Sequence, residues 1–501
     1  MSGRSVILAI DQGTTSSRAI LFSAELEILD VQQKELRLHF PRKGWVEQHP
    51  EDIWNDTLEV CRRILQTLSI GVESVAAIGI TNQRETTILW DRSTGEPVYN
   101  AIVWQDRRTA ALCQQLRDAG YEPLVEAKTG LLFDPYFSAG KIAWILDNVE
   151  GARERAERGE LAFGTVDCYL LWRLTGGRVH ATDVTNASRT LLYNIIEQKW
   201  DEALLALFGI PTIILPEVRD NVAGFGLTDP MLFGREIPIG GMAGDQQAAM
   251  IGQGCFQSGM VKSTYGTGCF ALMNIGPDFR LSRNRLLTTP AYRLDGAMTY
   301  ALEGSIFIAG AAIQWLRDGL GFFPDAAVSE AMALSVPDSN EVYFVPAFTG
   351  LGAPYWRPDV RGAMMGLSRE TTKAHIVRAA LEAQGYQTRD LMAAMEADGG
   401  CEVAVVRIDG GLSTNQFMCQ FLADMLDRPV EVPQVTEATA LGAACLAGLF
   451  AGIFPGFDAV ERHWRRARIY EPMMAQAERE QLYHGWKAAV GALLAYTANV
   501  N

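Results

Sequence analysis

The sequence predicts an α/β protein of two similar lobes facing one another, and three observations carry that expectation. Helix-like and strand-like stretches alternate along all 501 residues, in a composition 48% hydrophobic and 21% charged, as in ordinary α/β proteins. Near the N-terminus an apolar run ending in an acid, Val6-Ile7-Leu8-Ala9-Ile10-Asp11, gives way to Gln12-Gly13-Thr14-Thr15-Ser16-Ser17-Arg18 and then to a second apolar run from Ala19. That pattern reads as strand, turn, strand. Mid-chain, Gly259 to Met273 repeats the plan: apolar, a turn of Tyr265-Gly266-Thr267-Gly268, apolar.

The first hairpin points to an anionic ligand. Gly13 permits backbone conformations that larger residues resist, so neighbouring N–H groups can converge on an anion. Thr14, Thr15 and Ser16 add hydroxyl donors, Arg18 adds positive charge, and Asp11 can hold a hydrated metal ion. Phosphate with Mg2+ suits this set, although it is no Walker loop: Gly-Lys-Ser/Thr is missing and a strand follows the turn. Two such hairpins imply two lobes around one nucleotide. A third glycine site, Asp409-Gly410-Gly411-Leu412-Ser413-Thr414-Asn415, ends the apolar strand from Val405, where glycines let backbone approach a bulky ligand.

Between the hairpins, Val75–Ile80 and Thr87–Trp90 read as strands, and 52–68, 109–118 and 141–148 as helices. An insertion after Gly95 holds Trp104, Asp106, Arg107, Arg108, Asp134, Pro135 and Tyr136. Aromatic and charged residues together there predict a substrate pocket. Gly240 to Gly254 reads as a glycine-rich hinge, which divides the chain into an N-terminal lobe of 1–253 and a C-terminal lobe of 254–501. In the second half 309–320 and 373–395 have helical spacing, while 342–346 and 403–409 read as strands. Ala438 to Phe457 carries no charge, but its Ala and Gly content fits a buried helix on a sheet rather than a membrane span.

The net charge of −15 leaves no electrostatic footprint for nucleic acid. The basic run Arg462-His463-Trp464-Arg465-Arg466-Ala467-Arg468 sits among acids and reads as a solvated helix face or a subunit contact. Eight cysteines show no metal-ligand spacing and predict reduced, mostly buried thiols in a cytoplasmic protein. No apolar signal core precedes Val6.

Two places hold residues for chemistry. Asp245 ends an apolar stretch beside the expected hinge, where it can cap the helix starting at Gln246 or accept a proton from an attacking hydroxyl. Arg84 and Glu85 follow the strand Val75–Ile80. As strand neighbours they point to opposite faces, so the backbone must turn if both touch one small ligand. A donor beside an acceptor suits a compact polyol; the alternative is an exposed ion pair.

At Asp11–Arg18, Asn82-Gln83-Arg84-Glu85-Thr86-Thr87, Trp104–Arg108, Gly244-Asp245-Gln246-Gln247, Tyr265–Phe270 and Asp409-Gly410-Gly411 the chain resembles the bacterial glycerol kinases. These belong to the carbohydrate kinases, whose two ribonuclease H-like lobes, of the actin and hexokinase type, enclose an ATP cleft. The resemblance runs in order from Val6 to beyond residue 450. It implies ATP-dependent phosphorylation of glycerol to sn-glycerol 3-phosphate, with Asp245 as the base. Arg84, Glu85, Tyr136, Asp245 and Gln246 then hold glycerol, walled by Trp104 and Phe270. Thr14, Thr15, Ser16, Arg18 and Thr267 contact nucleotide phosphates, Gly310, Gln314, Gly411 and Asn415 line the nucleotide, and Asp11 and Asp245 face Mg2+. A homodimer or homotetramer without membrane insertion is implied as well. Relatives inhibited by fructose 1,6-bisphosphate carry an arginine where this chain has Glu236, which predicts weak or absent inhibition here.

Overall fold

The computed structural model describes residues 5–68 and 71–500. Its frame is a pair of sheets, one from each half of the chain. The first has six strands. At its centre Val6–Gln12 pairs antiparallel with Ser16–Ser23 and parallel with Val75–Asn82, which in turn runs parallel to Pro238–Gly244. The second sheet has seven strands and repeats the plan: Met260–Tyr265 pairs antiparallel with Cys269–Gly276 and parallel with Val405–Asp409. The parallel strands of the first sheet are almost wholly buried, as expected of strands covered on both faces.

One face of the first sheet packs on the helices Pro50–Gln66 and Val166–Leu174, through Leu8, Ile10, Ile53, Val60, Ile78 and Leu170. The other face carries Ile7, Ala9, Ile20 and Phe22. It is covered by Ala438–Phe450, a helix from the far end of the chain, together with Asp245–Gly252. The uncharged stretch from Ala438 is therefore a buried helix lying on a sheet, in agreement with its composition.

Gly240 to Gly254 is not a hinge loop. It is the strand Pro238–Gly244 running straight into the helix Asp245–Gly252. Its glycines serve close approach rather than flexibility: a Cβ on Gly252 would meet the Ala438 carbonyl oxygen at 2.0 Å and one on Gly241 the Ala447 nitrogen at 2.6 Å, while from the covering helix one on Gly442 would meet the Ala248 carbonyl oxygen at 1.8 Å. The basic run is a helix face only at its start, where Arg462 and His463 form the last turn of the helix Phe457–His463. Arg466–Tyr470 is the exposed outer strand of the second sheet, and its Arg466 pairs with Glu431 at 2.6 Å. All eight cysteines are free thiols, seven of them buried. No described helix is long and apolar enough to cross a membrane.

Candidate active site

The parallel strands Val6–Gln12, Val75–Asn82 and Pro238–Gly244 end side by side, with Asn82 in register with both Gln12 and Gly244. The chain leaves them at Gly13, Gln83 and Asp245, so the residues singled out from sequence meet in one crevice. Crevices beyond the carboxyl ends of parallel strands are where open α/β sheets bind ligands.

The backbone does turn between Arg84 and Glu85. Glu85 has φ +56°, an uncommon conformation for a residue with a side chain. The turn is held from outside: Lys141 Nζ and Ser138 Oγ donate to the Glu85 carbonyl at 3.2 and 3.0 Å. The pair is not on the surface, since Arg84 is 2% and Glu85 1% exposed. Arg84 Nη1 donates to Glu303 Oε2 at 2.7 Å and to Gln247 at 3.1 Å, while Nη2 donates to Glu303 Oε1 at 3.0 Å and to Tyr136 Oη at 3.3 Å. Its Nε faces Asp245 at 3.3 Å and Glu85 at 3.7 Å. Arg189, fully buried, donates to Glu85 at 2.6 Å and to Glu303 at 3.0 Å.

Asp245 begins its helix, and its carboxylate accepts from the Gln246 N–H at 2.7 Å. It reaches the open crevice, its side chain 32% exposed where Glu85 and Glu303 are closed off. Burial raises its pKa above the ordinary carboxylate value, against the pull of Arg84 and Lys262. Lys262, a buried lysine on the second hairpin, donates to the Gln246 side chain. Beside this group Trp104 meets Tyr136 edge to face at 5.5 Å, and its indole N–H donates to Thr14 Oγ1 at 2.8 Å. Phe270 lies on the second hairpin opposite Thr264. The charged residues of the insertion serve the scaffold. Arg108 stacks on Trp45 and binds Glu47 and Asp106, while Arg107 and Asp134 form an exposed pair.

Asp11 faces Asp245 and Glu437. Burial pushes its carboxyl up to about 7; Arg18 opposes that shift, and the Asp245 and Glu437 carboxylates add to it. Arg18 itself is paired with Glu437 at 2.6 Å. Gly13 departs from expectation, because its φ lies outside the left-handed region and its N–H is spent on the Ser16 carbonyl at 2.9 Å. The Gly13 amide is thus already engaged, and the hydroxyls of this turn belong to half-buried Thr14, exposed Thr15 and buried Ser16.

The second hairpin, the helix Gly310–Asp318 and the turn after Asp409 converge. Gly310 N donates to the Gly266 carbonyl at 2.9 Å, and Thr267 sits exposed at the tip. A Cβ on Gly410, which has φ +88°, would meet the Tyr265 carbonyl oxygen at 2.5 Å. Gln314 and Gly411 are both exposed. The Asn415 side chain is occupied elsewhere, capping the helix Gln416–Leu426 by accepting from Met418 N at 2.9 Å.

Sequence reasoning missed Glu303, Arg189, Lys262 and Glu437. The first and third stand as lone charges inside apolar strands, Ala297–Ile306 and Met260–Tyr265. A single buried charge on such a strand is a usable signal, since it is retained only when paired. Arg189 and Glu437 sit at a short 3-10 turn and before a helix, where sequence marks nothing unusual.

Two lobes, two phosphate-type hairpins and a carboxylate beside a buried donor–acceptor pair define a phosphoryl-transfer site of the carbohydrate-kinase kind. The N-terminal domain of the FGGY family of carbohydrate kinases matches residues 6–252 and its C-terminal domain residues 261–451, and the chain belongs to that family. It is 73% identical to a glycerol kinase of Nitrosomonas eutropha over 100% of both chains, and 60% identical to one of Methylobacterium nodulans over 98% of each. Among solved structures, Plasmodium falciparum glycerol kinase with ADP superposes with a TM-score of 0.94 at 36% identity, covering 98% of both chains. A xylulose kinase of Lactobacillus acidophilus, 21% identical, shares the fold with a TM-score of 0.89 over 99% of this chain and 100% of its own.

Proposed function

We propose that the protein is a glycerol kinase that transfers the γ-phosphoryl group of ATP to a terminal hydroxyl of glycerol, giving sn-glycerol 3-phosphate and ADP. The observation that carries this reading is the Arg84–Glu85 turn, buried and walled by Trp104 and Tyr136, with Asp245 at its open edge. A compact polyol needs each hydroxyl both to donate and to accept, and a guanidinium beside a carboxylate offers both partners. The likeness to the glycerol kinases of Nitrosomonas eutropha and Methylobacterium nodulans supports the same substrate.

In this reading Arg84, Glu85, Tyr136 and Gln246 orient glycerol, and Trp104 and Phe270 cover its carbon side. Asp245 takes the proton of the attacking hydroxyl as the oxygen bonds to the γ-phosphorus and the bond to ADP breaks. Phosphoryl transfer asks little more of protein than in-line positioning, charge neutralisation and a base. Thr14, Thr15, Ser16, Arg18 and Thr267 hold phosphates, while Gly310, Gln314, Gly411 and Asn415 border the nucleotide, Asn415 through its backbone. The lobes meet between residues 253 and 254.

Mg2+ fits the donor set. No three His, Cys, Asp or Glu side chains among the described residues could hold a metal by themselves, and Mg2+ usually takes one or two carboxylates with water and substrate phosphates. Asp11 and Asp245 supply those carboxylates, and a divalent charge between them would offset the upward push that burial and neighbouring acids exert on Asp11. When bound, the ion neutralises phosphate charge. The protein then serves the first step of glycerol uptake and catabolism in the cytoplasm, as a homodimer or homotetramer, a state that sedimentation velocity reads directly.

The test is coupled ADP release with Mg-ATP across glycerol, dihydroxyacetone, erythritol, xylitol, xylulose, ribulose and no acceptor. Turnover on glycerol, with weaker activity on dihydroxyacetone alone, supports the reading. Preference for a five-carbon sugar overturns the Arg84–Glu85 assignment, and acceptor-independent hydrolysis overturns the kinase reading itself.

A further inference from the structure

Six charged side chains meet beneath the crevice: Arg84, Arg189 and Lys262 against Glu85, Asp245 and Glu303. The set is neutral by count, and five of the six are closed off from solvent. Five come from the strand-end turns, the 3-10 turn at Ser188–Thr190 and the second hairpin. Glu303 comes from the middle of the long strand Ala297–Ile306 of the second sheet, as Lys262 comes from within Met260–Tyr265. Its carboxylate grips the fork of Arg84 with both oxygens, at 2.7 and 3.0 Å, and takes Arg189 at 3.0 Å on the same Oε1 that receives Arg84 Nη2.

That grip decides which part of Arg84 remains for a ligand. Both Nη atoms are turned toward Glu303, with their remaining donors on Gln247 and Tyr136, so the Nε edge is the one left facing Glu85 and Asp245. A planar guanidinium held bidentately has its plane fixed as well as its position. Arg189, anchored on the same Glu303 oxygen, in turn holds the Glu85 carboxylate at 2.6 Å. We propose that Glu303 is a positioning residue for the acceptor: a carboxylate of the C-terminal half that aims the polyol-binding Arg84 and Glu85 of the N-terminal half without touching the polyol itself. Burial alone raises a carboxyl pKa, but Arg189 and Arg84 reverse the sign here and hold Glu303 at about 2, so the clamp stays charged.

This inference rests on the glycerol-kinase reading, and its test separates the two. Steady-state kinetics with glycerol and ATP each varied are run on wild type, Glu303→Gln and Glu303→Asp, with circular dichroism and a melting curve on each. The amide keeps the shape but loses the charge and turns an N–H2 toward a guanidinium; the aspartate keeps the charge but draws it back toward the strand. In a folded Glu303→Gln the KM for glycerol rises tenfold or more while the KM for ATP stays within twofold. In Glu303→Asp the same split appears with a smaller rise, and this variant decides the matter if the amide does not fold. A glycerol KM within twofold of wild type in a folded variant overturns the proposal, as does a parallel rise in both KM values, which is the mark of a merely structural role. A wild type that fails to turn over glycerol instead overturns the reading beneath it.

Discussion

Replacing Asp245 by asparagine isolates the proton-accepting step. The carboxylate accepts from the Gln246 N–H at 2.7 Å and faces Arg84 Nε at 3.3 Å. Asparagine can present its carbonyl oxygen to both donors, so side-chain placement and acceptor binding should survive. What is lost is a group able to take a proton. Positioned general bases contribute about 10²–10⁴ in rate, or roughly 3–5 kcal/mol of barrier at about 1.4 kcal/mol per decade. The substitution also removes one negative charge between Arg84 and Lys262, which leaves the site more positive and favours phosphate. The ATP KM is therefore expected to stay level or fall. Coupled ADP release gives kcat and both KM values, and calorimetry gives the glycerol Kd. Because Asp245 is also a proposed Mg2+ neighbour, the series is repeated over rising Mg2+. A kcat within about fivefold of wild type at any Mg2+ level would falsify the base assignment.

Other expectations concern packing, pH and regulation. Gly442→Ala puts a Cβ 1.8 Å from the Ala248 carbonyl oxygen; overpacking of this kind costs about 1–3 kcal/mol, read as a lower urea midpoint, and an unchanged midpoint contradicts the tight crossing. His180 donates Nε2–H to the Phe163 carbonyl at 2.8 Å and packs edge-on to Trp90, and burial lowers its pKa from 6.5 to about 4. Its folded pKa is depressed, so the stability tied to its neutral form is present above pH 6.5 and is lost as pH falls toward 4, to a total of about 3 kcal/mol. Urea midpoints from pH 7 to 4 should fall less steeply in His180→Gln, and equal slopes would refute the assignment. Fructose 1,6-bisphosphate should inhibit weakly or not at all, since Glu236 stands beside Arg235, whose Nε is already engaged with the Glu236 carbonyl; micromolar inhibition at pH 7 would contradict this.

The two hairpins, the strand ending at Asn82 and the helices Pro50–Gln66 and Lys373–Gly399 were readable because period-two and 3.6-residue patterns register locally. The need for a turn between Arg84 and Glu85 was readable too, as a geometric condition on two neighbours. What no local pattern carried was burial. The pair reads equally as a surface ion pair, and only Glu303 and Arg189, more than 100 residues away in sequence, make its burial tolerable. Likewise, the glycines from Gly240 to Gly254 look alike whether they serve motion or close contact. The helix from Ala438 decides for contact, and it arrives from the opposite end of the chain. The reading of Gly13 failed for a different reason: a glycine in a tight turn need not adopt a positive φ when its own N–H closes the turn.

That late-arriving helix has a consequence for how the protein is made. When the ribosome has delivered the strand Pro238–Gly244, the first sheet can assemble, yet the face bearing Ile7, Ala9, Ile20 and Phe22 lacks its main cover until Ala438–Phe450 emerges. At about 5–20 residues per second, that interval lasts roughly 10–40 s. Through it the nascent chain displays a broad apolar surface, a natural landing place for holding chaperones. A messenger truncated after the first lobe would yield an aggregating fragment rather than a half-enzyme.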